Sequence, residues 1–171
     1  MENQTTTTKV ALKWGIIIGI FSVVFSTLIM VLGLVANQGV GFVAYIIIGI
    51  GVFMAMNAYK KENNGFMSYG QGLGIGTLMS AVSGLLSSAY SFVYMKFIDP
   101  SVMDQIFKKA EADMEKKGLS AEQIDQAMEM SKVFMSPGAM FVWGVVGSIL
   151  LGFVFSLIIA AFVKKDKPIF D

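Results

Sequence analysis

The chain of 171 residues contains no cysteine, no histidine and no arginine, so its thirteen basic residues are all lysine. Without Cys there are no disulfides, thiol nucleophiles or thiolate metal ligands, and the redox compartment leaves no trace in the sequence. Without His the commonest general base and metal ligand is missing. Charge is scarce, at 15% of residues against about 25% in soluble domains. It is also segregated: none falls between Trp14 and Tyr59, between Gly65 and Met95, or between Pro137 and Val163. A net charge of +1 with no clustered basic patch excludes nucleic acid as a partner class.

Apolar residues take the place of charge, at 55% of the chain with a mean hydropathy of +0.68. Uncharged apolar runs of roughly 20 residues are membrane spans before they are anything else. The expected fold is an all-α integral membrane protein, with four transmembrane helices and an extracytoplasmic helical hairpin between spans three and four. Residues 1–9, with four consecutive Thr, read as a disordered cytoplasmic tail. Residues 10–98 hold spans one to three, 99–136 the amphipathic hairpin, 137–163 the fourth span and 164–171 a second cytoplasmic tail. The first run, Val10 to Ala36, exceeds the roughly 7–15 apolar residues of a signal peptide, and Leu34-Val35-Ala36 is a poor cleavage site. It reads as a retained span. Asn37-Gln38-Gly39 and Lys60-Lys61-Glu62-Asn63-Asn64-Gly65 read as turns.

The third run, Phe66 to Met95, is the organising stretch. Its thirty positions reach about 45 Å against a hydrocarbon core of about 30 Å. Gly70, Gly72, Gly74 and Gly76 make its first half the expected place for a kink. Small residues recur at a strict spacing of four: Gly72, Gly76, Ser80, Gly84 and Ser88. The fourth span carries a matching row, Gly144, Ser148, Gly152, Ser156 and Ala160. In lipid, such rows let two helix backbones approach and gain van der Waals fit, so the two rows are expected to pack together. Four residues turn a helix by about 400°, so a row drifts by about 40° per step. Contact is therefore expected over about three steps, the remainder facing other neighbours.

Asp99-Pro100 reads as a helix cap and Gly118 as a stop. Val102, Met103, Ile106, Phe107, Ala110 and Met114 form one apolar face between them. Ser120-Ala121-Glu122-Gln123 fits a capping box, and Ile124, Ala127, Met128, Val133 and Phe134 are read as the face of the second hairpin helix. Glu111, Asp113, Glu115, Lys116 and Lys117 read as a solvated face. Orientation follows lysine placement. Lys9, Lys13, Lys60, Lys61, Lys164, Lys165 and Lys167 share one side with four acids, Glu2, Glu62, Asp166 and Asp171. The hairpin side holds six lysines and eight acids. Both termini are therefore expected in the cytoplasm and the hairpin outside.

The spans contain no Asp, Glu, His or Cys, and ionisable residues are the usual markers of proton relays and ion paths in membranes. Neither catalytic residues nor a cofactor or metal site is expected. Thirteen Met are compatible with thioether copper handling, but most lie at apolar helical positions where Met fills cores. Ser80, Ser83, Ser87 and Ser91, with Tyr90 and Tyr94, could line a wet path; the competing expectation is that the hydroxyls bond to helix carbonyls. Asn57, Tyr59, Lys60, Lys61, Tyr69 and Gln71 could form a cytoplasmic-side pocket for docking or an anionic headgroup, against the plainer expectation of an interfacial Tyr and Lys belt.

The stretch Tyr59-Lys60-Lys61-Glu62-Asn63-Asn64-Gly65-Phe66-Met67-Ser68-Tyr69-Gly70-Gln71-Gly72, followed by Gly76, resembles the four-span bacterial membrane protein family called domain of unknown function 4199, found chiefly in Bacteroidota. The span order and Ile98-Asp99-Pro100 are similar too. The resemblance implies the inner membrane of a Gram-negative cell and carries no activity and no catalytic residues. The expected function is that of a non-enzymatic inner-membrane accessory or scaffold protein, packing with itself or another membrane protein in contact with membrane lipid. The alternative is a small-molecule or lipid transporter using the glycine-rich third span as a discontinuous helix.

Overall fold

Each helix starts at a residue whose side chain can satisfy the orphan amides of a first turn. Thr6 Oγ1 accepts the Lys9 N–H at 3.2 Å and opens α1, Thr7–Val31. Asn37 Oδ1 accepts the Gly39 N–H at 2.9 Å and opens α2, Gln38–Glu62. Ser68 and Gln71 form a reciprocal capping box at the head of α3, Tyr69–Val93. These come from a computed structural model that describes residues 6–35 and 37–167, apart from the Gln38 side chain. Residues 1–5 and 168–171 of the two expected tails, and Ala36 before the first turn, lie outside the described residues. Thr7, Thr8 and Lys9, read from sequence as tail, belong to α1 because Thr6 caps them.

Two turns use left-handed backbone. Gly33 ends α1 at φ +66°, and the Leu34 N–H reaches back 2.9 Å to the Ile29 carbonyl, the double closure that glycine allows after a helix. Asn64 and Gly65, at φ 53° and 85°, reverse the chain after α2, and Asn63 Nδ2 ties the turn by donating to the Phe66 carbonyl at 2.8 Å.

The third helix differs from expectation. It runs unbroken through Gly70, Gly72, Gly74 and Gly76. The irregularity lies at its other end, where Tyr94–Ile98 widens into a π turn and the Asp99 N–H donates to the Tyr94 carbonyl at 2.9 Å. Buried neighbours hold Gly72 and Gly76 straight, whereas the π turn lets the chain leave the span for α4. Phe66 and Met67 precede the helix as extended chain, and Met67 exchanges two backbone hydrogen bonds with Lys165, of 2.8 and 2.9 Å.

Asp99 Oδ1 accepts from both the Ser101 amide, at 3.0 Å, and its hydroxyl, at 2.6 Å, starting α4, Ser101–Lys116. The box of Ser120 and Gln123 starts α5, Ala121–Phe134, as the motif predicts. Ser136 Oγ accepts the Ala139 N–H at 3.3 Å, with Pro137 at the first position of α6, Pro137–Val163. On α5, Ile124 is buried and Ala127 and Met128 are partly so, but Val133 and Phe134 are exposed. Nine residues turn a helix by about 900°, which puts Val133 half a turn away from Ile124, so the two cannot share a face.

Helices joined by short turns make up the rest of the described residues, and α1, α2, α6 and α3 with its π turn are long and apolar enough to cross a membrane. The chain is a multi-pass membrane protein with α3 at its centre, between α1 and α6. The second half of α2 completes the main core with Val52, Ala55, Met56 and Tyr59. A smaller core of Met30, Tyr94, Met95 and Val102 seats α4 on the ends of α1 and α3.

Candidate functional site: the seam between the third and last spans

The two small-residue rows meet along their full length, as five rungs. Gly72 faces Ala160, Gly76 faces Ser156, Ser80 faces Gly152, Gly84 faces Ser148 and Ser88 faces Gly144. The numbers run in opposite directions, so the helices are antiparallel. A glycine stands on one side of every rung and Ser or Ala on the other. A Cβ added at Gly72 would come 2.8 Å from the Ala160 Cβ, and one added at Gly76 would collide with Ser156 Oγ while lying 2.9 Å from Val52 Cγ1. At the far end the fit loosens: a Cβ at Gly144 would still meet Ser88 Oγ, but its Cβ only at 3.3 Å, and Gly144 is exposed.

Contact over about three steps was too short an expectation. A spacing-four row leaves the seam of a straight helix by about 40° per step. Continuous contact requires the two helices to wrap around each other, and a period longer than 3.6 calls for a right-handed wrap. A missing side chain on one side of every rung brings the backbones close enough for that wrap to persist.

A second seam escaped the sequence reading. Gly15 and Gly19 of α1 lie on α3, where a Cβ at 15 would fall 2.7 Å from Val82 Cβ and one at 19 would fall 2.7 Å from Leu86 Cδ1. Numbers rise together here, so α1 and α3 are parallel. Fully buried Ala11 extends this row to Ala11, Gly15, Gly19, a period-four signal present in the sequence. Gly51 of α2 closes on Ile18, 2.8 Å from its Cγ1.

Several hydroxyls on and beside these seams are turned to helix carbonyls. Ser83 donates to Ser80 O at 3.2 Å, Ser87 to Gly84 O at 3.3 Å, Ser148 to Val145 O at 2.8 Å and Ser156 to Gly152 O at 2.5 Å. Thr27 Oγ1 lies 2.8 Å from the Val23 carbonyl, which can only accept. The Tyr90 hydroxyl 2.7 Å away therefore supplies the proton of their shared bond. Ser80 Oγ, fully buried, has no hydrogen-bond partner. No ionisable side chain stands on the ten-residue seam, so its hydroxyls have neither a base to activate them nor a charge to stabilise.

The residues read as a cytoplasmic-side pocket occupy one end of the bundle in separate settings. Tyr59 is buried in the core and Asn57 half-buried. Lys60 Nζ donates to the Val163 carbonyl at 2.8 Å, capping the C-terminus of α6. The Gln71 side chain accepts the Ser68 N–H at 2.9 Å, and Tyr69 donates to Leu157 O at 3.3 Å. Lys61 is exposed. Lys165 Nζ sits 5.4 Å from the Phe66 ring centroid. Lys60, Tyr69 and Lys165 thus tie the α2–α3 turn and the head of α3 to α6 and the segment after it, while Gln71 closes the cap of α3 on itself. At the opposite end a small cleft opens between the tail of α1 and the head of α2, lined by Ser26, Ile29, Met30, Val35, Asn37 and Val40 among others. Among the described residues, no group of three or more His, Cys, Asp or Glu converges.

A family model described as a protein of unknown function (DUF4199) matches residues 13–165. No curated protein and no solved structure matches the chain.

Proposed function

Since the chain belongs to the DUF4199 family, whose description assigns no activity, we propose its function from its own geometry. It is a non-enzymatic accessory or scaffold protein of the bacterial inner membrane that packs with itself or another membrane protein. Both termini face the cytoplasm, in keeping with the lysine count, and the segment of α4 and α5 lies outside. The observation that carries this reading is the state of α2. Its second half is built into the core, but from Gly39 to Ile46 no residue is buried. Phe42 and Ile46 are 65% and 58% exposed, and Gly41 has open space where a side chain would stand. A span held by only half its length offers the other half to a neighbouring helix, while Ser83, Ser87, Ser148 and Ser156 bond to carbonyls of their own helices.

Affinity purification from native membranes in mild detergent tests the proposal. A stoichiometric partner or a dimer is the expected result, with loss of that species on Phe42→Ala and Ile46→Ala together. A lone monomer sinks it. A reporter fused after Gly118 that reads cytoplasmic would overturn the orientation. Transport requires water at Ser83 and Ser87, and labelling of Ser83→Cys and Ser87→Cys by a membrane-impermeant thiol reagent would favour it.

A further inference from the structure

The two apolar faces of α5 point to different neighbours. Ile124, Ala127 and Met128 form its inner face, buried or half-buried. Met130, Val133 and Phe134 form a second apolar stripe, 66%, 70% and 57% exposed. At about 100° per residue, Val133 stands opposite Ile124 and Met130 and Phe134 lie about 120° and 80° from it, so the stripe begins beside the Ala127 edge of the inner face. The acids Glu122, Asp125 and Glu129, all exposed, occupy the adjoining arc.

Chain continuity says where the stripe sits. Phe134 is three residues before Pro137, the first residue of α6, and three residues of chain reach at most about 11 Å. The same end of the bundle carries residues typical of a membrane boundary. Trp143 is 58% exposed on α6 and Phe97 is 69% exposed at the end of the third span. Exposed Lys96 lies 5.3 and 5.4 Å from the Phe92 and Phe97 ring centroids. An apolar stripe within one short connection of a span therefore lies at the depth of the headgroups. The acidic arc beside it favours a zwitterionic surface, since acids are repelled by anionic lipid.

We propose that the C-terminal half of α5 is an interfacial membrane helix, its Met130–Val133–Phe134 stripe seated in the headgroup boundary of the bilayer beside α6. The stripe fixes the angle at which the chain enters its last span, whichever functional role the bundle has.

The natural chain lacks cysteine, which makes site-specific labelling direct. Full-length Val133→Cys, Phe134→Cys and the control Glu122→Cys, each carrying a fluorophore, are placed singly in phosphatidylcholine nanodiscs. The expected result is loss of most of the Val133→Cys and Phe134→Cys signal to lipids bearing a nitroxide near the headgroup, with little loss to aqueous iodide. Glu122→Cys should show the reverse. If all three labels respond alike to iodide and none to nitroxide lipid, the stripe faces water and the proposal fails. Shielding from iodide without nitroxide quenching also overturns it, because protein then covers the stripe. The same holds if shielding appears only with two chains per disc. Unchanged elution and helical circular dichroism of the labelled chains establish that the fold is intact.

Discussion

Ser80 of α3 and Gly152 of α6 occupy one rung of the seam so closely that a Cβ at 152 would coincide with the Ser80 side chain. Gly152→Ser should therefore destabilise the bundle by about 1–3 kcal/mol, the usual cost of overpacking. Adding Ser80→Gly moves the hydroxyl across the seam and should restore most of the loss, a coupling that a double-mutant cycle of thermal unfolding in detergent measures. Additive effects would mean that the two residues do not share a rung.

The same Ser80 hydroxyl is buried and unpartnered. An unsatisfied buried polar group costs about 1–3 kcal/mol, so Ser80→Ala should leave the melting temperature unchanged or raise it. Ser156→Ala, which removes a bond to Gly152 O, should lower stability by about 0.6 kcal/mol, the average for such bonds in membranes. A larger loss for Ser80 than for Ser156 would contradict the assignment.

Glycines on and off the seams should behave oppositely. Gly15→Leu drives a side chain into Val82 and the Met79 carbonyl, 2.9 Å and 3.0 Å from even a Cβ at its Cγ1 and O atoms; it should destabilise by several kcal/mol or prevent folding. Gly74 is open, and Gly74→Ala should be neutral or stabilising by up to about 1 kcal/mol through helix propensity. Unfolding midpoints of the two variants separate packing glycines from permissive ones.

Lys60 donates to the last carbonyl of α6, where a cation also complements the helix dipole. Lys60→Met keeps the apolar stem and should lose about 0.3–1 kcal/mol. Amide hydrogen exchange should report this as faster opening of Lys164, whose N–H is bonded to Ala160 O, with Gly84 unaffected.

On α4, Lys109 pairs with Asp113 one turn on, and this bond holds the Asp113 carboxyl below its ordinary value. A depressed acid stabilises the fold above its unfolded value and loses that contribution as pH falls through its folded one. Asp113→Asn should therefore matter only above that window and be silent in strong acid. Salt should weaken it, the pair being partly exposed to solvent. Titration of Asp113 by carboxyl NMR checks the direction.

The four spans, the two caps at Asp99 and Ser120 and the small-residue rows were legible because each is a local pattern of hydropathy, capping or spacing. The extent of the seam was not, since it depends on how two helices wrap, which a single helix's periodicity does not carry. Lys60 and Gln71 looked available for a ligand because their partners, Val163 O and Ser68 N, are backbone atoms invisible in residue identities. Met67 and Lys165 are 98 positions apart, and nothing local announces their pairing. Val133 was grouped with Ile124 by apolarity alone, against the helical angle that separates them, while Phe134 shares the angle of Ala127 but is exposed at the last residue of α5.

The full-length seam has a consequence for biosynthesis. The third span is complete at Ile98, but its partner row ends only at Ala160. At roughly 5–20 residues per second of synthesis, α3 waits in the membrane for several seconds with α1 on one flank and the Gly72–Ser88 face open. During that interval the nascent chain can pair with the row of another copy, so ribosome spacing on the message and the speed of α4–α5 synthesis bear on whether the bundle closes on itself.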